Sequence, residues 1–152
     1  MSDDSNAAYY PPAAFHFSVK VGADIVSFQK VSGIGASLEF QKEPEGGSEG
    51  RNLPERSTYT NLVLERGIAG SNSEFMKWCI GWFTNWRAGV KKAQPMKDIQ
   101  VSLLNEQHVP LHTWHFLQAY PVKWSMGAFD AQKNEVAIET IELTYESWEW
   151  QA

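Results

Sequence analysis

Four histidines are the side chains here best suited to metal or acid–base chemistry, and their spacing is the first thing to weigh. His112 and His115 stand three apart in a segment that reads as a strand, so they point to opposite faces and cannot share one ion. His108 and His112 share a parity, as does Glu106, but Glu106 sits in a turn and Pro110 interrupts the segment. Hydrogen-bonded or solvated histidines are the plainer reading, and no metal site is expected. Glu135, Glu139, Glu142 and Glu146 could supply the acid pair of a glycosidase. They fall on one strand whose opposite face is apolar, which reads as a solvated or lumen-facing polar row. Cys79, the single cysteine, lies in an apolar helical stripe without a neighbouring His, so it reads as a packed thiol and not as a nucleophile. Gly33-Ile34-Gly35 opens like a dinucleotide loop, but Leu38 occupies the third glycine position and a strand follows instead of a helix. No serine elbow is present. No catalytic, cofactor or metal residue is assigned, and an enzyme is not expected.

The elements that carry these residues are mostly strands. Phe15, Phe17, Val19 and Val21 alternate with His16, Ser18 and Lys20, the period of a half-buried strand. Gly22-Ala23-Asp24 is a turn, and Ile25 to Ser32 is its partner. Gly33-Ile34-Gly35 bends the chain into a strand over 36–42. Strand character resumes from Thr58 to Arg66 and again, after Pro95, through Ile99, Val101 and Leu103. Asn105-Glu106-Gln107 then turns the chain into Leu111 to Tyr120. In the last long strand the apolar set steps from Ile138 to Ile141, which predicts a β-bulge near Thr140 that lets one strand serve two sheets. One segment is helical: Phe75, Trp78, Cys79, Trp82, Phe83 and Trp86 recur at the helix period. Ser71 and Glu74 stand in capping-box relation, and Gly89 can close a helix over about 71–88.

These patterns predict about eight strands with one helix after the fourth: a mainly β domain of two packed antiparallel sheets, sandwich- or barrel-like, with one flanking helix. Core candidates are Phe17, Phe28, Leu62, Leu64, Trp78, Trp82, Trp114, Trp124, Ile138, Ile141 and Leu143. Residues 1–13, with Pro11-Pro12, read as a flexible arm, and 14–152 as one domain. Within it, 43–57 (EPEGGSEGRNLPERS) has one aliphatic residue, Leu53, and reads as an extended loop or an arm that orders on a neighbour.

With 152 residues, 43% hydrophobic and 20% charged, the chain has the composition of an ordinary globule. Its 13% aromatic content leaves two readings open, an aromatic-rich core or anchors at interfaces. A formal charge of −5 without a basic run argues against nucleic-acid binding. One cysteine excludes an internal disulfide and fits cytosolic assembly. The polar start MSDDSNAAYYPP shows no signal peptide, and no run of about 18 apolar residues could span a membrane.

The order of motifs resembles a known family. Phe15 to Val21 leads to Phe28, Val31, Ser32, Gly33 and Ile34, like an F-x-x-V-S-G signature. Leu53-Pro54 stands where the family often has Pro-Gly. Tyr59, Asn61, Leu62, Leu64, Arg66 and Gly67 look like its L-x-L-x-R-G strand. Trp78, Trp114, Ala119, Pro121 to Trp124, Asp130, Ala131, Asn134, Val136 to Glu139, Ile141 and Leu143 complete the pattern over residues 15–147. Glu55 departs from the usual glycine after Pro54, and Trp82 and Trp86 enrich the helix. The chain is similar to tail-tube proteins of contractile phage tails and extracellular contractile injection systems, with the Hcp-like tube fold.

The resemblance implies a structural subunit forming hexameric rings that stack into an inner tube, driven through a target envelope and passing effector cargo or DNA. It implies partners in other copies of the chain, a contractile sheath, and baseplate, initiator and terminator proteins, with no membrane anchor. Assembly in the cytoplasm and then a place in a released particle or virion tail follow. Six copies at −5 each carry a formal −30 per ring. Glu45, Gly46, Gly47, Glu49, Arg51, Leu53 and Pro54 become candidates for contact between subunits or rings. Two alternatives stand beside it: a tube-initiator paralogue at the baseplate, and a carbohydrate-binding β-sandwich using Trp148 and Trp150 as platforms.

Overall fold

The computed structural model describes residues 15–41, 53–67, 73–87, 95–127, 132 and 138–151. The predicted arm over 1–13 and the candidates Glu45, Gly46, Gly47, Glu49 and Arg51 lie outside these residues.

β1 (His16–Val21) and β2 (Asp24–Phe28) form a hairpin closed by Gly22-Ala23, with Gly22 at φ +61°, as a two-residue turn requires. The run read as one partner strand breaks at Gln29, whose N–H donates to the Glu65 carbonyl, and continues as β3 (Lys30–Ser32) on a different neighbour. β4 (Ala36–Gln41) and β5 (Leu53–Tyr59) pair only with each other. Residues 53–57, expected as part of the loop, are therefore strand. Thr60-Asn61 separates β5 from β6 (Leu62–Gly67), and α1 (Glu74–Arg87) follows. β7 (Lys97–Leu104), β8 (Pro110–Met126), β9 (Ile138–Thr144) and β10 (Ser147–Gln151) complete the described chain. These ten strands, with the helix after the sixth, correct the expected eight, because two runs that look continuous in sequence change partners midway.

The main sheet is antiparallel in the order β2-β1-β7-β8-β9-β6-β3, with β10 also on β8. Its first and last strands, β2 and β3, are consecutive in the chain, so the sheet rolls into a barrel-like body. β8 makes this possible. Its first half pairs with β7 and β10, and its second half with β9. Two irregularities re-aim it. At Leu117-Gln118 two residues oppose Asp98 alone; Gln118 takes φ +55° and its N–H donates to Asp98 Oδ1 at 3.0 Å. Val122 is the second extra residue. The bulges thus lie on β8, and β9 keeps unbroken register with β6 from Ile138 to Leu143. This overturns the bulge expected at Thr140. Glu139, Ile141 and Leu143 all face inward, and the apparent step of three arises because a glutamate occupies an inward site.

One core joins Val19, Val101 and Phe116 from the first half to Leu62, Leu64, Ile141 and Leu143 from the second. The apolar stripe of α1 closes it: Phe75 meets Phe28 edge-on and Trp82 stacks on Tyr120 with ring centroids 4.9 Å apart. The helix begins at Ser73, whose Oγ accepts from the Met76 N–H, so the cap is Ser73 and not Ser71, which lies outside the described residues. Asp24 reinforces it from the β1–β2 turn, its carboxylate accepting from the Phe75 N–H at 2.9 Å. The expected close at Ala88-Gly89 is also outside them. Phe28, Leu62, Leu64, Trp78, Trp82, Ile141 and Leu143 are buried, while Phe17 and Trp114 are half-buried against that core. Trp124 and Ile138 are corrections: both are exposed, at 36% and 40%. Trp124 pairs with Ile141 but sits toward the strand end, and Ile138 has the outward parity opposite to Glu139.

Candidate assembly surface

β4 and β5 make a two-faced ribbon. Ser37 Oγ and Thr58 Oγ1 lie 2.7 Å apart, and Arg56 Nε donates to Glu39 Oε2 at 2.7 Å, which fixes the polar face across the strands. Leu38 and Phe40 occupy the other face and are exposed at 52% and 53%. Glu55 is the extra residue that shifts the register between Glu39 and Phe40. Of the proposed contact residues, Leu53 and Pro54 therefore take part in the ribbon through their backbone pairing with Gln41 and Phe40.

The ribbon root is held firmly. Gly33, at φ +86°, approaches so closely that a Cβ would lie 1.9 Å from the Asn61 carbonyl oxygen. Thr60 Oγ1 donates to the Gly33 carbonyl, and Tyr145 Oη donates to the Thr60 carbonyl at 2.6 Å. Trp148 Nε1 donates to the Gly35 carbonyl at 3.1 Å. Trp148 is thus half-buried structure and offers no sugar platform; Trp150, 55% exposed, has that freedom alone.

Two of the sheet edges left unpaired among the described residues bound the same half of the main sheet. β3 pairs only with β6, and β8 from Tyr120 to Met126 has β9 on one side and no strand on the other, because β7 ends its pairing at Ala119. Between these edges lie four strands in the order β3-β6-β9-β8, all antiparallel. An even number leaves the two outer strands running in opposite directions. The β8 edge of one copy can therefore accept the β3 edge of another in antiparallel pairing without reversing a subunit. Exposed Val122, Trp124 and Met126 line that β8 edge.

Behind the four strands sits a charge pair that sequence reading placed in a solvated row. Glu139 is 4% exposed, and Arg66 Nε lies 3.8 Å from its Oε1, a separation at which neither atom has a hydrogen-bond partner. The Arg66 guanidinium also stacks 5.5 Å over Phe28. Glu139 and Glu142 face opposite ways, so the glutamates form no single row. The parity of Glu139 with Ile141 and Leu143 is the signal that identifies it. Cys79 is fully buried beside this pair. Burial foremost, then the Glu139 carboxylate, push its thiol up to about 12. Tyr145 is likewise raised to about 12, by burial first and by Tyr59 second.

His112 packs near Trp114 and Trp150, while His115 faces the opposite side. His115 lines a shallow pocket of about 180 Å³ with Lys20, Asp98 and Gln100, which holds no Ser, Thr or Cys. Among the described residues no group of three or more His, Cys, Asp or Glu could hold a metal, and no helix is long and apolar enough to cross a membrane.

A family model described as T4-like virus tail tube protein gp19 matches residues 13–149. A comparison with curated proteins finds no significant match. Among solved structures, a chain of the sheath-tube complex of the extracellular contractile injection system PVC, in its extended state, is 27% identical, with TM-score 0.76, covering 100% of this chain and 99% of that one. A chain of the six-fold symmetrised baseplate of the anti-feeding prophage is 28% identical over 100% of this chain and 98% of that one, with TM-score 0.67. Hcp1 from Flavobacterium johnsoniae shares the fold, at 20% identity and TM-score 0.59, over 89% of this chain and 94% of that one.

Proposed function

Because the chain belongs to the T4-like virus tail tube protein gp19 family, and is therefore a structural tail tube subunit and not an enzyme, we propose that its copies join edge to edge into hexameric rings that stack as the inner tube of a contractile particle. The observation that carries this reading is the four-stranded antiparallel half-sheet with an open edge at each end. Six such half-sheets joined head to tail close into one barrel without a free edge, which removes the hazard of exposed strands. The six-fold baseplate of a 28% identical relative supports the number.

In this arrangement the outward face of the half-sheet lines the lumen. It carries Lys30, Glu65, Lys123 and Glu142 with the hydroxyls of Ser125 and Thr140, beside the apolar Val63 and exposed Ile138. Two cations and two anions balance there, so the −5 of each chain is not concentrated on this wall. A hydrated, balanced surface lets effector or nucleic acid slide without adhering. The ribbon, with Leu38 and Phe40 exposed, docks on an adjacent subunit or ring.

The partners follow from the relatives: a contractile sheath around the tube, a baseplate below and a terminator above. The alternative, a tube-initiator paralogue at the baseplate, is separated from the main tube by copy number per particle. The particle assembles in the cytoplasm and acts outside the cell. Negative-stain microscopy of the purified protein tests the proposal: six-fold rings or tubes are expected, and a monodisperse monomer at high concentration would overturn it.

A further inference from the structure

We propose that His16 and His108 form a two-histidine chelating site for a divalent first-row transition cation, copper or nickel in preference to zinc. His16 opens β1 and His108 sits in the β7–β8 turn, 92 residues later, yet His16 Nε2 and His108 Nδ1 lie 2.9 Å apart with ring centroids at 4.7 Å. Two nitrogens on one metal, each about 2.0–2.1 Å from it and at a right angle, are separated by about 2.9 Å, whereas a tetrahedral angle needs about 3.4 Å. The 2.9 Å contact is itself an N–H···N hydrogen bond; it places the two rings within reach of one square-planar or octahedral ion, with water completing the coordination, once both rotate.

The frame beneath both rings is rigid. Backbone pairing sets His16 against Leu104, the last residue of β7 before the turn. The turn is organised by Asn105, which is buried; its Oδ1 accepts from the Gln107 and Val109 N–H groups, and its carbonyl accepts from the His108 N–H. His108 is held there at φ +61°. His108 is exposed and His16 half-buried at the start of β1, so rotation chiefly of the His108 ring can turn the lone pairs toward one ion. In the metal-free pair one nitrogen donates and the other accepts. Binding needs both facing nitrogens free of a proton, so that proton moves to the other nitrogen of its own ring or to solvent. The remaining histidines offer no such pair, since His112 is packed near Trp114 and Trp150 while His115 faces the other side of the sheet.

Calorimetric titration of the untagged full-length chain with Cu²⁺, Ni²⁺ and Zn²⁺ tests this. One equivalent should bind in the affinity order Cu²⁺, Ni²⁺, Zn²⁺. His16→Gln and His108→Gln should each weaken binding at least tenfold, and His112→Gln should not. Retention of wild-type affinity by the His16→Gln/His108→Gln double variant would overturn the proposal. A readout needing no variant is the histidine ring NMR spectrum on adding substoichiometric Ni²⁺. Paramagnetic loss of the His16 and His108 ring signals first supports the site, and loss at His112 or His115 first refutes it.

Discussion

Glu139 and Arg66 show how much a single inward side chain decides. Their ion pair is largely shielded, with side-chain exposures of 5% for Glu139 and 11% for Arg66, yet at 3.8 Å it lacks a hydrogen bond to offset desolvation. Removing one partner strands the other charge: Glu139→Leu or Arg66→Leu should each cost about 3–5 kcal/mol in urea unfolding, while the double variant should be near neutral or more stable. Equal costs for single and double variants would show that the pair contributes through packing alone. Cys79 and Tyr145 make a separate prediction in alkali. Both protons are held more tightly in the folded chain, to about 12, than in the unfolded chain, where the groups titrate near 9.0 and 10.0. The unfolded state therefore gives up protons first, so stability is intact below pH 9 and falls as pH rises toward 12. Cys79→Ala should flatten the first part of that fall, read as melting temperature against pH.

At the scale of elements, the β4–β5 ribbon is a part built to be covered by something else. Its polar face is cross-linked within the ribbon, its apolar face is bare, and its root is fixed by the Tyr145, Trp148 and Gly33 contacts. Leu38→Ser with Phe40→Ser should leave monomer stability within about 0.5 kcal/mol of wild type, since neither side chain touches the core. The same variant should lose tubes while retaining isolated rings if the ribbon joins rings, which sedimentation and microscopy separate. By contrast, α1 is held from both directions, by Ser73 within its own chain segment and by Asp24 from the first hairpin. Asp24→Ala should lower stability by about 1 kcal/mol, with the helix content unchanged at low temperature.

For the whole molecule, the decisive feature is that the sheet almost closes on itself yet leaves complementary edges. β8 changes partners between the bulges at Leu117-Gln118 and Val122, so β7 departs and exposes Tyr120–Met126 as an edge. The Gly127 N–H donates to the Ile138 carbonyl, so by alternation Ser125 bonds β9 while the Trp124 and Met126 N–H groups face the open edge. Met126→Pro removes a backbone donor from that edge; with native-like circular dichroism it should abolish rings and yield monomers in analytical ultracentrifugation, and intact rings would place the subunit contact elsewhere.

Sequence alone determined the strand and helix periods, and with them the mainly β class. Alternation of Phe17, Val19 and Val21, and the 3.6-residue stripe from Phe75 to Trp82, are local properties that each segment carries by itself. The ordered motifs from Phe15 to Leu143 carried the family. Partner choice was not local. Whether Gln29 continues a hairpin or crosses to β6, and whether the extra residue lies on β8 or β9, depends on which strand arrives alongside. The same holds for exposure. Trp124 and Ile138 have the apolar character of core residues, and Glu139 that of a surface residue, yet the end of the sheet leaves the first two bare while parity turns the third inward against Arg66. Burial is a property of what covers a side chain, and only the tertiary structure supplies the cover.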